Sequence, residues 1–218
     1  LAACGATPCA FTLALALPQA DDAWLRGFAQ GLWALADAHG CELIGGDTTR
    51  GPLTIAITVW GELPPGQALL RSAAQVGDDI YISGAVGQAR MALEVFRGQL
   101  RLPSDAFERA RARMERPTPR VTLGRTLRGV AHAAIDLSDG LLGDLGHILK
   151  ASGVGADIDT RWLAQASDGD TDWPAHCPDL AALPWAQTLA CGLTGGDDYE
   201  LLFTAAPQQR AAVLAAAQ

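Results

Sequence analysis

Three short segments of the sequence place aspartate beside glycine or serine directly after an apolar stretch. They are residues 43–51 (LIGGDTTRG), 135–140 (IDLSDG) and 194–200 (TGGDDYE). Glycine lets backbone N–H groups approach phosphate oxygens closely. Aspartate repels those oxygens, but it can contact them through Mg²⁺, which prefers oxygen ligands. The pattern predicts a phosphate site made of backbone amides, Mg²⁺ and a few arginines.

The scarcity of lysine excludes the common phosphate-binding motifs. Lys150 is the only lysine among 16 basic residues, and it follows His-Ile-Leu. It therefore belongs to neither a Walker A loop nor a protein-kinase strand motif. Asp136 and Asp139 lie three residues apart on a predicted strand-to-helix turn, close enough to serve neighbouring ions. Ser138 between them is placed to donate to a phosphate oxygen.

Each motif taken alone has a simpler interpretation. Gly-Gly-Asp is usually a turn closed by its aspartate, and Ser-Asp-Gly is usually a turn or a helix cap. Arg71 would ordinarily be a surface arginine. The arginines between Arg109 and Arg120 predict a solvated helix face paired with Glu108 and Glu115. Only the conjunction of the motifs, in this order, favours a functional site.

Composition narrows the function classes. The 218 residues are 49% hydrophobic and carry a net charge of −8, which indicates a globular protein and argues against nucleic-acid binding through a basic field. No apolar run approaches the roughly 18–20 residues of a membrane span, and no signal peptide is expected. Five cysteines without a C-x-x-C pair and four scattered histidines form no zinc pattern, so we expect reduced thiols in a cytoplasmic protein.

Apolar periodicity predicts intermixed strands and helices, so the fold class is α/β (α+β mixed) in two parts. Alternation predicts strands over residues 11–17, 41–44, 53–60, 79–83, 131–137, 156–159 and 199–204. Helical spacing predicts a helix capped by Asp21 or Asp22 and ended by Gly40, and helices near 87–97, 104–115, 119–129, 140–151 and from 207. Residues 164–184 are predicted to be irregular. The stretch 61–66 is the best linker candidate, which predicts domains 1–64 and 65–218.

Four strings, taken in order, resemble a known family. They are I-G-G-D-T-T-R-G, L-L-R-S-A, A-I-D-L-S-D-G-L and T-G-G-D-D-Y-E-L-L-F. Their order and spacing are similar to those of the thiamine-monophosphate kinases, within the superfamily of aminoimidazole ribonucleotide synthetase and selenophosphate synthetase. The resemblance covers nearly the whole chain. It implies the two-domain architecture of aminoimidazole ribonucleotide synthetase, here with an incomplete N-terminal domain.

The resemblance also implies an activity and its site. It implies transfer of the γ-phosphoryl group of ATP to thiamine monophosphate, directly in line, with several Mg²⁺ ions and no phosphoenzyme, in a homodimer that pairs its N-terminal sheets. Neither nucleic acid nor membrane is an expected partner, and no catalytic residue is assigned. The implied positions are nucleotide contacts at Gly46, Asp47, Arg71 and Ser138, metal ligands at Asp47, Asp136 and Asp139, and a thiamine contact at Asp197.

The chain departs from the family pattern at a few points. Asp197 stands where many members have glutamate, which keeps the charge and shortens the side chain by one methylene. An N-terminal Gly-Asp-Asp strand, a further aspartate before Leu1 and a C-terminal aromatic over the thiamine ring have no counterpart here, so we expect a fragment at both ends. The rival interpretations are another enzyme of the superfamily, such as an aminoimidazole ribonucleotide synthetase-like cyclase, and a non-catalytic nucleotide-binding relative.

Overall fold

The computed structural model describes residues 1–163 and 178–217, and these form two compact units. The first unit consists of Leu1 and Ala6–Gly66, and the second of Ala2–Gly5 and the chain from Gln67 onward. The strands are β1 (Thr7–Leu17), β2 (Glu42–Arg50), β3 (Thr54–Glu62), β4 (Asp79–Ile82), β5 (Ala133–Asp136) and β6 (Leu201–Ala205). The helices are α1 (Asp22–Ala38), α2 (Gln88–Phe96), α3 (Ser104–Glu115), α4 (Val121–Thr126), α5 (Leu141–Ser152), α6 (Pro178–Ala181), α7 (Trp185–Thr194) and α8 (Arg210–Ala216).

Strands and helices intermix along the chain, as the α/β prediction requires. Short 3₁₀ turns at Thr160–Leu163 and Pro207–Gln209 complete the described elements. None of the helices within residues 1–163 and 178–217 is long and apolar enough to cross a membrane.

The first unit is a three-stranded sheet with one long helix. Strand β1 lies in the middle, parallel to β2 and antiparallel to β3. Helix α1 begins where predicted, because the Asp21 carboxylate accepts hydrogen bonds from the backbone N–H groups of Ala23 and Trp24, both at 2.9 Å. The first acidic motif follows α1 as part of β2.

The first motif lies within a strand and does not form the turn that the sequence predicted. Gly45, Gly46 and Asp47 continue strand β2, which runs on to Arg50, instead of ending a short strand at Ile44. Gly46 lies beside Leu13 of β1 with φ at 143°. A Cβ atom there would overlap the carbonyl oxygen of Leu13, so only glycine lets the two strands pair at this register. Strand pairing therefore explains Gly46, whereas a Cβ atom at Gly45 would meet no other atom within 4 Å.

The second unit is built on the sheet β4–β6–β5, in which β6 is antiparallel to both neighbours. Every residue of β6 is buried. Its side chains pack in two clusters with residues of the surrounding helices, among them Met91, Leu127, Leu145, Ile148 and Val213. The packing of β6 on all sides fixes its position. It also fixes the point at which residues 194–200 join the start of the strand.

The elements of this unit differ from the sequence predictions at three places. Residues 156–159 form no strand, because the stretch before the 3₁₀ turn at Thr160–Leu163 has no pairing partner among the described residues. The irregular excursion predicted for 164–184 lies outside the described residues up to 177, and α6 occupies Pro178–Ala181 beyond it. Helix α7 was missed, and it is fixed by the buried Thr188 hydroxyl, which donates to the carbonyl oxygens of Leu180 and Leu183.

Candidate active site

Two of the three acidic motifs lie side by side in the second unit. Asp136 at the end of β5 pairs with Leu201 at the start of β6. Backbone hydrogen bonds continue beyond both strand ends, from Leu137 N to Glu200 O and from Tyr199 N to Leu137 O, both at 2.8 Å. A third, at 3.0 Å, joins Asp197 N to Ser138 O. Residues 135–140 and 194–200 are therefore held together as one acidic surface.

Gly196 allows this close approach. A Cβ atom at this position would lie 2.5 Å from the carbonyl oxygen of Ser138. Any side chain would separate the two motifs and break the hydrogen bond that follows at Asp197. The close contact between the two motifs thus explains why residue 196 is glycine.

Asp144, in the first turn of α5, holds the backbone of the second motif in place. Its carboxylate accepts hydrogen bonds from the backbone N–H groups of Ser138 and Asp139, each at 3.0 Å, and the residue is only 2% exposed. Sequence reasoning missed this residue. The available signal was an aspartate four residues into a predicted helix, where apolar spacing would otherwise place a buried side chain.

The even-numbered acids of the third motif point inward. Asp198 accepts hydrogen bonds from the N–H groups of Gly87, at 2.7 Å, and Ala89, at 3.4 Å, at the start of α2. Burial raises the pKa of Asp198 to about 7, although these two hydrogen bonds favour its charged form. Glu200 is 2% exposed and accepts two hydrogen bonds of 2.6 Å from Arg120. These two side chains fix the loop to the body of the unit.

The odd-numbered residues of the motif point outward. Asp197 and Tyr199 are exposed, and the Tyr199 hydroxyl donates to Asp197 Oδ1 at 3.2 Å. Partial burial raises the pKa of Tyr199, and the carboxylates of Asp197, Asp136 and Asp139 add to this effect because they lie near its hydroxyl. The structure thus brings together three of the predicted site carboxylates. Ser138 lies between two of them and is half-buried.

Arg71 lies outside the acidic surface of the second unit, and Gly46 and Asp47 belong to the first unit. Arg71 follows Leu70, which pairs with Ala133 at the start of β5, whereas Asp136 ends that strand about 10 Å further on. The Ser152 hydroxyl, at the far end of α5, donates to the Arg71 carbonyl oxygen at 3.1 Å. Gly46 and Asp47 belong to the first unit, where Asp47 is exposed. Their predicted roles stay predictions.

The carboxylates fit one kind of metal site. Within the described ranges no three His, Cys, Asp or Glu side chains lie close enough to enclose an ion. Mg²⁺ does not need such a cage, because it is usually held by one or two carboxylates, with water and substrate phosphates completing its shell. Asp136 and Asp139, three residues apart, supply hard oxygen donors at the end of β5 and in the turn that follows it. The donor set therefore fits Mg²⁺ bound together with a phosphorylated substrate.

The arginine-rich segment is only partly the solvated face that the sequence predicted. Arg111 pairs with Glu115 one helical turn away, as expected, and Arg109 pairs with Asp105 and Asp179. Arg113 and Arg120 turn instead toward the buried Glu200. The difference arises because Glu200 is distant in sequence and cannot be paired with them by spacing alone.

The whole chain matches the AIR synthase related proteins: their N-terminal domain matches residues 1–63 and their C-terminal domain residues 65–218. The chain belongs to this family. Within it, the chain is 46% identical over 215 residues to the thiamine-monophosphate kinase of Salmonella typhimurium. That alignment covers 98% of this chain and 63% of the relative, so the chain spans a little under two thirds of its length.

Solved structures show the same fold. The thiamine-monophosphate kinase of Stenotrophomonas maltophilia is 47% identical, with a TM-score of 0.87 over 98% of this chain and 66% of its own. The protein described as AaThiL complexed with AMPPCP and TMP is 24% identical, with a TM-score of 0.78 over 95% of this chain and 65% of its own. At that identity the second comparison supports the fold alone. The predicted resemblance and fold class are confirmed.

Proposed function

We propose that the whole protein phosphorylates thiamine monophosphate to thiamine diphosphate, with ATP as the phosphoryl donor and Mg²⁺ as the cofactor. The observation that carries the proposal is the joining of residues 135–140 to 194–200, which gathers Asp136, Asp139 and Asp197 at one surface. The two relatives at 46% and 47% identity are named thiamine-monophosphate kinases. AaThiL, which shares this fold, was solved with AMPPCP and TMP, and AMPPCP is an analogue of the proposed donor ATP that cannot transfer its γ-phosphoryl group.

Each residue of the acidic surface has a proposed role. Asp136 and Asp139 would hold Mg²⁺, and the backbone hydrogen bonds to Asp144 keep their turn in place. Bound Mg²⁺ would supply positive charge to the oxygens of the transferring phosphoryl group. Ser138 would donate to a phosphate oxygen. Asp197 would contact the thiamine part of the acceptor, since its carboxylate projects from the anchored loop.

The positioning of the substrates supplies most of the rate enhancement in a reaction of this kind. Phosphoryl transfer needs little covalent chemistry from the protein, because alignment and charge stabilisation lower its barrier. The resemblance likewise implies a direct in-line transfer without a phosphoenzyme, and no catalytic residue is assigned. Gly46, Asp47 and Arg71 are proposed as nucleotide contacts, with Asp47 as a further metal ligand.

The proposal includes a homodimer formed by the sheets of the first unit. Strand β3 and the residue before it present an apolar row at alternate positions, and its members remain 44–56% exposed: Leu53, Ile55, Ile57 and Val59. Contiguous apolar surface of this kind marks an interaction site more often than free surface. We also propose that the chain is divided into domains 1–64 and 65–218, and limited proteolysis with cleavage at residues 61–66 would test this boundary. The proposed location of the protein is the cytoplasm.

Substrate-dependent release of ADP tests the function. The whole protein, with Mg²⁺ and ATP, should release ADP rapidly only when thiamine monophosphate is present. Removal of Mg²⁺ with EDTA should abolish the release. A non-catalytic relative would release no ADP, and an aminoimidazole ribonucleotide synthetase-like cyclase would be indifferent to thiamine monophosphate. Either of these last results would contradict the proposal.

A matched pair of variants ties the activity to the site. Asp197→Ala should raise the KM for thiamine monophosphate about tenfold or more and leave the KM for ATP nearly unchanged, because a hydrogen bond to a charged partner is lost. Asp157→Ala removes an exposed carboxylate of the same unit outside the acidic surface and should change neither KM. Equal shifts of both KM values in Asp197→Ala would make the residue structural.

A further inference from the structure

Tyr199 is an exposed aromatic residue held in an unfavourable backbone conformation. Its φ is +49°, and among residues 1–163 and 178–217 only Asp197, at +68°, shares a positive φ without being glycine. Aspartate tolerates this region, but a bulky tyrosine gains nothing there. Strained residues of this kind cluster at functional sites, where surrounding contacts maintain them. The buried anchors Asp198 and Glu200 on either side of Tyr199 supply those contacts.

The anchors leave the Tyr199 ring on the outer side of the loop. The side chain of Tyr199 stays 45% exposed, although its backbone N–H is bonded to Leu137 in the middle of the second acidic motif. A residue whose only role was to close the turn would need no ring. The ring is therefore available to a ligand that binds at the acidic surface.

The surroundings of the ring select the charge of that ligand. The hydroxyl is bonded to Asp197, and the carboxylates of Asp136 and Asp139 are close by. In the described part of the chain no ion pair joins these three carboxylates to an arginine, a lysine or a histidine, unlike the buried Glu200. An aromatic face within an uncompensated negative field favours a flat cation and disfavours an anion.

We propose that Tyr199 is a specificity-determining residue that binds the cationic ring of the acceptor through its aromatic face. The inference rests on the proposed function, since the thiazolium ring of thiamine monophosphate is the flat cation that the site would meet. Asp197 orients the tyrosine through the hydroxyl hydrogen bond. Specificity then comes from one loop, whose inward acids fix its position and whose outward residues contact the substrate.

The test compares a cationic and a neutral acceptor. In wild type, the KM for thiamine monophosphate should be about tenfold lower than the KM for an analogue whose five-membered ring is uncharged because carbon replaces the thiazolium nitrogen. Tyr199→Leu should reduce that preference to about twofold or less and leave the KM for ATP unchanged. Tyr199→Phe, which keeps the ring, should retain most of the preference. Trp185→Leu removes an exposed aromatic side chain elsewhere in the unit and should retain all of it.

Each outcome has a defined meaning. Wild type that does not phosphorylate thiamine monophosphate overturns both the proposed function and this inference. Normal wild-type activity with an unchanged preference in Tyr199→Leu overturns the inference alone. If Tyr199→Leu does not fold, Tyr199→Asn serves instead, because asparagine tolerates positive φ and has no ring. A preference retained in that variant equally overturns the inference.

Discussion

The four residues from Asp197 to Glu200 alternate in role, and the alternation depends on their partners. Asp198 and Glu200 are bound to α2 and to Arg120, while Asp197 and Tyr199 face outward beside Asp136 and Asp139. This alternation is not that of a strand, although a strand was predicted from residue 199. It arises from an irregular loop with two positive φ values, because β6 begins only at Leu201.

Asp139→Asn tests the role of the exposed carboxylate on the second motif. The change keeps the shape of the side chain and removes its charge, so a metal-binding role predicts a fall in kcat of about a hundredfold or more. The thermal midpoint should move little, because the turn is held by Asp144 through backbone N–H groups that the variant retains. Steady-state kinetics with Asp157→Asn as control would decide. Normal turnover in Asp139→Asn would make the residue a simple turn former.

Asp198, which is largely shielded from solvent, predicts a pH dependence of stability. Burial and, to a smaller extent, the nearby Glu200 raise its pKa from 3.8 to about 7, against the opposing effects of the hydrogen bonds from Gly87 and Ala89 and of Arg113. Between about pH 4 and pH 7 the folded protein therefore retains a proton that the unfolded chain has lost, and this contribution to stability falls as the pH rises. Asp198→Asn should remove the fall.

Thermal denaturation at several pH values measures this effect. The difference in midpoint between Asp198→Asn and wild type should increase from pH 4 to about pH 7 and stay level above it. Asn can still accept the hydrogen bond from Gly87, so the comparison isolates the charge. A difference that is constant with pH would show that the carboxylate is not destabilised by its burial.

The link between the third motif and the residue that precedes α4 is an ion pair that the sequence did not suggest. Arg120 donates twice to Glu200, which is almost completely buried. Arg120→Met would leave that carboxylate without its main partner and should lower the free energy of unfolding by about 3–5 kcal/mol. Arg111→Met breaks an exposed helical pair with Glu115, which solvent screens, and should leave the free energy of unfolding nearly unchanged. Urea denaturation showing equal losses in the two variants would contradict this assignment.

Local patterns in the sequence were sufficient for most elements. Helix α3 begins and ends at the predicted residues, and α1 begins at the predicted cap, because apolar period and capping chemistry are properties of the segment itself. Strand β2 was predicted to be too short, since its extension past Gly46 depends on pairing with Leu13 of another strand. Asp144 and Glu200 were missed as anchors for the same reason: their partners lie in other segments.

The apolar row on β3 predicts the assembly of the whole protein. Ile57→Lys places a charge in the centre of that row and should convert a dimer into a monomer, or weaken the dimer at least about a hundredfold. Val76→Lys adds the same charge at a residue of the second unit that is 90% exposed, and it should leave the assembly unchanged. Sedimentation equilibrium separates the outcomes. A wild-type monomer, or an Ile57→Lys dimer of normal stability, would refute the pairing of sheets.

The formation of thiamine diphosphate is the direct measure of the proposed activity. Phosphorus NMR of the whole protein with ATP, Mg²⁺ and thiamine monophosphate follows donor, acceptor and products in a single sample. We predict that thiamine diphosphate and ADP appear together in equal amounts, without inorganic phosphate, because the γ-phosphoryl group passes directly to the acceptor. ADP accompanied by inorganic phosphate, with thiamine monophosphate unchanged, would contradict it.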